Sequence, residues 1–424
     1  MSCYLSGIPC VLPRDLRSEN VSASPCTALS PTIPNSLHIL RCPLTGSPLE
    51  LLSADRIDHI NQDIRLGLWS HADPNIPPAP VTSGLCTHEG DIVYRIDDDI
   101  VCLLPQMAIR SRSAPVATPD LRLELKIVQA FYNEFGWVKN SKGLFNDTTA
   151  FTETRLCARR YQLRCNERIL ALLDHGEFLL DVASGAIPHP EYREQSRHYR
   201  TRICVDFSIR ALREARAQIG DHGLFILGNI TRLPLAPDTI DAVISLHTVY
   251  HLPSEEQIKA CDELLRVARP LAPVLVVYVW STSPLMNLIE FIRRLPRHTR
   301  RVLRRFRRHP SAPPAAPEAS SSTRPALFFH PCDHTWFAAQ IANRHSVALR
   351  VWSAVTSEFQ SRFFTDNRCG RLLSYLVMAI EDAFPRWCGR MGQYPIWRFS
   401  KPAPPPCAAA WPRCSKSAPA STRS

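Results

Sequence analysis

No Cys-x-x-Cys pair occurs among the fifteen cysteines of this 424-residue chain. The cysteines are dispersed and odd in number, which argues for reduced thiols and a cytoplasmic location. No basic leader precedes an apolar stretch at the N-terminus, so no signal peptide is expected. No apolar run approaches the length of a membrane span. The most apolar one, residues 274–280, has the length of a strand. Acidic residues are missing from 291–309, where much of the net charge of +11 is concentrated.

An apolar content of 45% is enough for a sizeable core. The 37 prolines cluster with Ser and Ala in 9–36, 74–80, 309–325 and 402–418, which read as linkers or tails. Residues 1–36 and 401–424 are therefore expected to be disordered, and about 293–325 to be a basic, Pro-rich insertion. The arginines of 293–308 could meet nucleic acid or an anionic membrane. Pro296 and the linker that follows favour a solvated excursion instead.

Residues 37–110 read as a small β-rich unit, because their second half alternates like short strands around acidic turns. Residues 111–175 read as a helical lid or linker. From 176 to 400 the pattern alternates strand and helix. Strands are expected at 178–182, 201–206, 224–228, 240–245, 274–280, 348–352 and 394–399, with helices at 208–219, 254–269 and 284–295. That alternation predicts an α/β fold around a mostly parallel sheet with helices on both faces.

Ligands of such sheets bind outside the carboxyl ends of the strands. The residues there form an ordered series. Asp181-Val-Ala-Ser-Gly-Ala-Ile187 ends the first strand in a turn, and Gly185 lets backbone approach a ligand. Asp206 ends the second strand, with Phe207 after it, and can accept the hydroxyls of a ribose. Asn229 and Ile230 follow the third strand, where an adenine ring would lie. Leu246, His247, Tyr250 and His251 follow the fourth.

In this order and spacing the residues resemble the class I S-adenosylmethionine-dependent methyltransferases. The likeness includes Glu263-Leu-Leu-Arg-Val-Ala-Arg-Pro270, similar to the family's Glu-x-x-Arg-Val-Leu-Lys-Pro-Gly-Gly. The resemblance implies a Rossmann-like seven-stranded sheet and S-adenosylmethionine as cofactor. It places Asp181, Ala183, Ser184, Gly185, Asp206, Phe207, Asn229, Ile230, Leu246 and His247 around that cofactor. Ala183 and Ile187 stand at the family's first and third glycines, and Leu271-Ala-Pro replaces its Gly-Gly turn. The change at Ala183 reads as small. Asn229 replaces an aspartate and keeps a carbonyl acceptor for adenine.

Cys42-Pro-Leu-Thr45 and the strands after it resemble small zinc-ribbon-like proteins associated with methyltransferases. Only Cys42, Cys86 and, doubtfully, His88 remain as ligands, short of the four a structural zinc needs, so no metal is expected.

The resemblance implies methyl transfer to an unidentified acceptor, a small molecule or something lipid-like. A sulfonium methyl is already activated, so the protein has mainly to align the acceptor and exclude water. His251 and Tyr250 are the candidates for any proton transfer, and His330 and His334 could also reach the mouth. Each of these could equally be a hydrogen-bonded packing residue. Tyr132 and Trp137 could form a lid. A second reading is a degenerate binding module that recruits RNA, protein or membrane. A third, a nicotinamide oxidoreductase, is weakened by the absence of Gly-x-Gly-x-x-G.

Overall fold

The computed structural model describes residues 29–73, 76, 79–112, 122–151, 155–294 and 325–402. Most of the expected N-terminal segment, nearly all of the basic insertion and nearly all of the tail lie outside the described residues.

The first unit holds β1 (Leu49–Leu51), β2 (Trp69–His71), β3 (Gly84–Thr87), β4 (Ile92–Asp97), β5 (Ile100–Cys102) and β6 (Ile109–Ser111). It also holds a helix, Ala54–Arg65, that the sequence reading did not name. Ser53 caps this helix by accepting from the Arg56 N–H, and buried Ile60 joins a small core with Val81, Cys86, Val93 and Ile109.

The larger sheet is built from β7 (Gly176–Val182), β8 (Tyr199–Asp206), β9 (Gly223–Leu227), β10 (Ala242–Leu246), β11 (Pro273–Val277), β12 (Val347–Ser353) and β13 (Tyr394–Ser400). Their order is β9-β8-β7-β10-β11-β13-β12. The first five pair in parallel, and β13 runs antiparallel to both β11 and β12. This is the mostly parallel α/β sheet that the alternation predicts, with the Rossmann-like arrangement that the resemblance implies.

Strands covered on both faces must be apolar on both, and the core divides accordingly. Leu180, Val243 and Val276 pack with Leu264 and Val267 of helix Ser254–Val267. On the opposite side, Leu179, Ile244 and Val277 pack with Ile169 of helix Leu156–Leu170. Helix Ile209–Ile219 buries Leu212 and Ala215 against Cys204 and Phe225. It starts where Ser208 Oγ accepts from the Ala211 N–H, an N-cap that serves a donor otherwise left orphaned.

The N-terminal unit is continuous with this sheet. β5 lies parallel to β9, with Val101 opposite Ile226, and β4 continues outward from β5. Ile39, Leu40, Leu85, Tyr94 and Leu103 share one core cluster with Val205 and Ile226. Main-chain bonds from Arg41 to Pro234 and from Ala236 to Ile39 tie the segment before β1 to the loop after β9. No helix among the described residues is long and apolar enough to cross a membrane.

Candidate active site

The parallel strands end together, and their following loops form one site. After β7 the chain turns through Ala183 (φ 55°), Gly185 (φ 61°) and Ile187 (φ 51°). An L-residue in the left-handed region costs roughly 1–2 kcal/mol. The substitution at Ala183 is therefore not small: Ala and Ile occupy two backbone positions suited to glycine. Leu271, where the resemblance expects another glycine, has φ 68° as well. Surrounding structure holds the turn in place. The Ala183 N–H donates to the Val205 carbonyl at 2.7 Å, and Ile187 is buried with Cys204 and Leu212. Gly185 could not be enlarged freely, since a Cβ there would lie 2.5 Å from the Trp137 ring.

Asp206 braces the turn. One carboxylate oxygen accepts from the Gly185 N–H and the other from the Ser208 N–H, both at 2.8 Å. Burial disfavours the charge more than these bonds favour it, and the pKa is pushed up to about 6. Asp181 is buried against Arg202, which is itself 1% exposed. The same guanidinium donates to the Tyr192 carbonyl at 2.5 Å.

The expectation for Asn229 needs correction. Its side-chain carbonyl already accepts from the N–H and hydroxyl of Thr231, at 2.9 and 3.0 Å. The group this side chain presents is its NH₂, a donor, so the carbonyl is not free to read an adenine amino group.

His251 is buried, and its Nδ1 lies 2.8 Å from the Phe328 carbonyl. A carbonyl can only accept, so Nδ1 carries the proton and Nε2 keeps a lone pair. Burial lowers the pKa of His251 to about 4, against the bond to Phe328. His247, with φ 62°, sits edge-on to Trp352 at 4.4 Å, and burial lowers its pKa to about 4 as well. Both imidazoles are neutral at pH 7. The Tyr250 phenol is buried and pushed well above its usual pKa, so it stays protonated.

The ten residues expected around the cofactor, together with Tyr250 and His251, line one cavity of about 560 Å³. That is within the roughly 300–1,000 Å³ typical of small-ligand sites. Tyr132 and Trp137 line it too, stacked at 5.7 Å. His330 and His334 are not part of the lining. The His334 ring stacks on Trp280 and bonds the Arg390 carbonyl at 2.6 Å.

Sequence reasoning missed Arg159, Gln162 and Asn166, which line the cavity from helix Leu156–Leu170. Their i, i+3, i+7 spacing on an expected helix was the available signal. It also missed Trp352, Gln360 and Tyr394, which come from the C-terminal part of the chain. The proposed ribbon ligands do not converge. Cys42 Sγ contacts the Tyr94 hydroxyl at 3.4 Å, Cys86 lies in a different cluster, and His88 faces solvent beside Glu50. No group of three or more metal-binding side chains occurs among the described residues.

Residues 180–276 match the methyltransferase domain family. This stretch runs from β7 into β11 and carries most of the cavity-lining strand ends. The cofactor of a methyltransferase domain of this fold is S-adenosylmethionine. No curated protein matches the chain. Among solved structures, the chain is similar to a Haemonchus contortus phosphoethanolamine N-methyltransferase 1 at 11% identity and TM-score 0.39, covering 66% of this chain and 50% of that one. It is similar to magnesium protoporphyrin IX methyltransferase from Synechocystis PCC 6803 at 13% identity and TM-score 0.36, covering 66% of this chain and 99% of that one. A third similarity is to the complex between the Haloferax volcanii Trm112 methyltransferase activator and a methyltransferase, at 14% identity and TM-score 0.36, covering 58% of this chain and 91% of that one.

The cavity of this methyltransferase domain suits the cofactor. Asp206 offers a buried carboxylate that can accept hydroxyls, and Phe207 and Ile230 offer apolar surface to the same cavity. Gln162 and Asn166, from helix Leu156–Leu170, add neutral polar groups.

Proposed function

We propose that this chain methylates a small, lipid-like acceptor that loses a proton on reaction. The observation that carries the proposal is the neutral His251, which lines the cavity with its Nδ1 held by the Phe328 carbonyl and its ring 6.2 Å from that of Tyr132 and 5.9 Å from that of Phe329. When bound, the cofactor supplies an activated sulfonium methyl. Asp206 would hold the ribose, Asn229 and Ile230 would border the adenine, and Gln162 and Asn166 would meet the amino-acid tail. Trp137 and Tyr132 would exclude water, and His251 would accept the acceptor's proton.

A second reading, a domain that holds cofactor weakly and only recruits partners, is favoured by the left-handed Ala183 and Ile187 in the turn after β7 and by the engaged Asn229 carbonyl. We also read 37–110 as a ribbon-like unit without metal, 111–175 as a lid and 176–400 as the transferase domain. The strand-rich N-terminal unit and the contact of Trp137 with Gly185 support this division.

Calorimetric titration with S-adenosylhomocysteine separates the readings. Saturable binding is expected, and it should depend on pH with a definite sign. Ribose hydroxyls donate to a carboxylate, so the cofactor favours ionised Asp206, whose pKa near 6 leaves it mostly protonated at pH 5. Affinity should be about tenfold weaker at pH 5 than at pH 7.5. Asp206→Asn should bind weakly and lose this dependence. No binding at either pH would favour the recruiting module, and saturable binding of NAD alone would favour an oxidoreductase.

A further inference from the structure

The C-terminal helices turn unusual side chains outward. On helix Arg368–Ala383, Leu372, Tyr375, Leu376 and Ile380 are 40–71% exposed. Their i, i+3, i+4, i+8 spacing puts them on one face. Phe384 and Trp387 extend the series into helix Pro385–Met391, both more than half exposed. Helix Pro284–Arg294 adds exposed Leu288, Phe291 and Ile292. This helix is anchored nearby: Ser283 Oγ donates to the Met391 carbonyl at 2.9 Å, and Met286 packs into the cluster that holds Leu373 and Val377.

Single exposed apolar residues are ordinary, but a contiguous set of large ones marks an interaction surface. Arginines outnumber acids around this set, where Asp382 is paired with Arg164 and Arg168 and the remaining acid of these helices' outer parts is Glu290. Arg368, Arg371, Arg386 and Arg390 are exposed and form no ion pair among the described residues. In the sequence, helix Pro284–Arg294 leads directly into the arginine-rich stretch to 309, which contains no acid.

We propose that this face, formed by helices Pro284–Arg294, Arg368–Ala383 and Pro385–Met391, docks in the plane of an anionic lipid bilayer. Apolar side chains with Trp and Tyr among them, bordered by arginines, are the composition of an interfacial helix surface. Each basic residue near an anionic surface strengthens such docking. A protein partner could cover the apolar residues, but the surplus of guanidinium groups would then need a matching set of acids. An RNA would match the guanidinium groups and leave Leu372, Leu376 and Phe384 uncovered.

The docked helices are also tied to the cavity wall. Glu381, 1% exposed, accepts from the Tyr161 hydroxyl at 2.5 Å and pairs with Arg168 at 2.9 Å. Both partners lie on helix Leu156–Leu170, which presents Arg159, Gln162 and Asn166 to the cavity. The surface stands on its own observations and does not depend on the identity of the acceptor.

The test is co-sedimentation of the full chain with phosphatidylcholine vesicles, with and without phosphatidylserine. Binding should be at least tenfold stronger with phosphatidylserine and fall as salt is raised. The variant Leu376→Glu with Trp387→Glu should lower partitioning about tenfold. Neither residue lines the cavity, so S-adenosylhomocysteine binding serves as the check on folding. Equal sedimentation of the double variant and the parent chain would overturn the proposal. So would salt-sensitive retention on single-stranded RNA without any vesicle binding. A dimer in sedimentation velocity that dissociates in the double variant, again without vesicle binding, would make the face a self-interface and overturn it too.

Discussion

His251→Ala is expected to lower kcat by a hundredfold or more while leaving S-adenosylhomocysteine affinity within a few-fold of the parent. Positioned general bases contribute about 10²–10⁴-fold, and several features fit His251 for that role. The Phe328 carbonyl fixes the tautomer through Nδ1, so the lone pair stays on Nε2. Burial keeps the ring neutral down to about pH 4, so its lone pair is available at pH 7; the same shift makes it a weaker base than free imidazole, which suits an acceptor whose proton turns acidic as the methyl arrives. Tyr132, Tyr250 and Phe329 surround the ring and restrict its rotation.

The assay follows transfer of labelled methyl from the cofactor into lipid-soluble product. kcat should be flat from pH 5 upward, because His251 does not titrate there. kcat/KM should fall below about pH 6, where Asp206 protonates in the free enzyme. If His251→Phe keeps the parental rate, the ring is only a packing element and the proton leaves by another route.

Arg202→Ala should be the most destabilising substitution in the cavity wall, costing roughly 3–5 kcal/mol. The guanidinium is 1% exposed, and its removal leaves the Asp181 carboxylate, 4% exposed, without its counter-charge. The Tyr192 carbonyl loses a donor at the same time. Most of the loss comes from the stranded charge, not from the net value of the pair. Arg202→Met combined with Asp181→Leu should therefore recover much of the stability, since an apolar replacement of a whole buried pair is often neutral. Urea unfolding midpoints measure both variants. A loss below about 1 kcal/mol for Arg202→Ala would mean that water reaches Asp181.

The apolar strands and their alternation with helices were legible in the sequence because both repeat at fixed periods. The strands at 178–182, 201–206 and 394–399 lie within β7, β8 and β13. The turn residues could be placed because each follows such a strand. Pairings across the sheet were harder to see. Arg202 has the look of an exposed strand residue until Asp181, on the neighbouring strand, supplies its counter-charge. Asn229 failed for a local reason: Thr231 competes for its carbonyl. Composition also hides backbone conformation: only the glycines that the resemblance expects at Ala183 and Ile187 hinted at their positive φ. The helix Ala54–Arg65 was within reach, since Ser53 and the spacing of Ile57, Ile60 and Ile64 announce it.

The pairing of β5 with β9 bears on how the transferase fold can be cut or evolved. Strand β9 would otherwise be the sheet's free border. Without residues 29–112 its outward N–H and C=O groups would meet solvent or the same border of another molecule, and Ile226 would lose its cover. Borders of that kind invite strand-to-strand aggregation. A chain begun at residue 122 should therefore be recovered mostly insoluble, as centrifugation after expression would reveal, even though every cavity residue is retained.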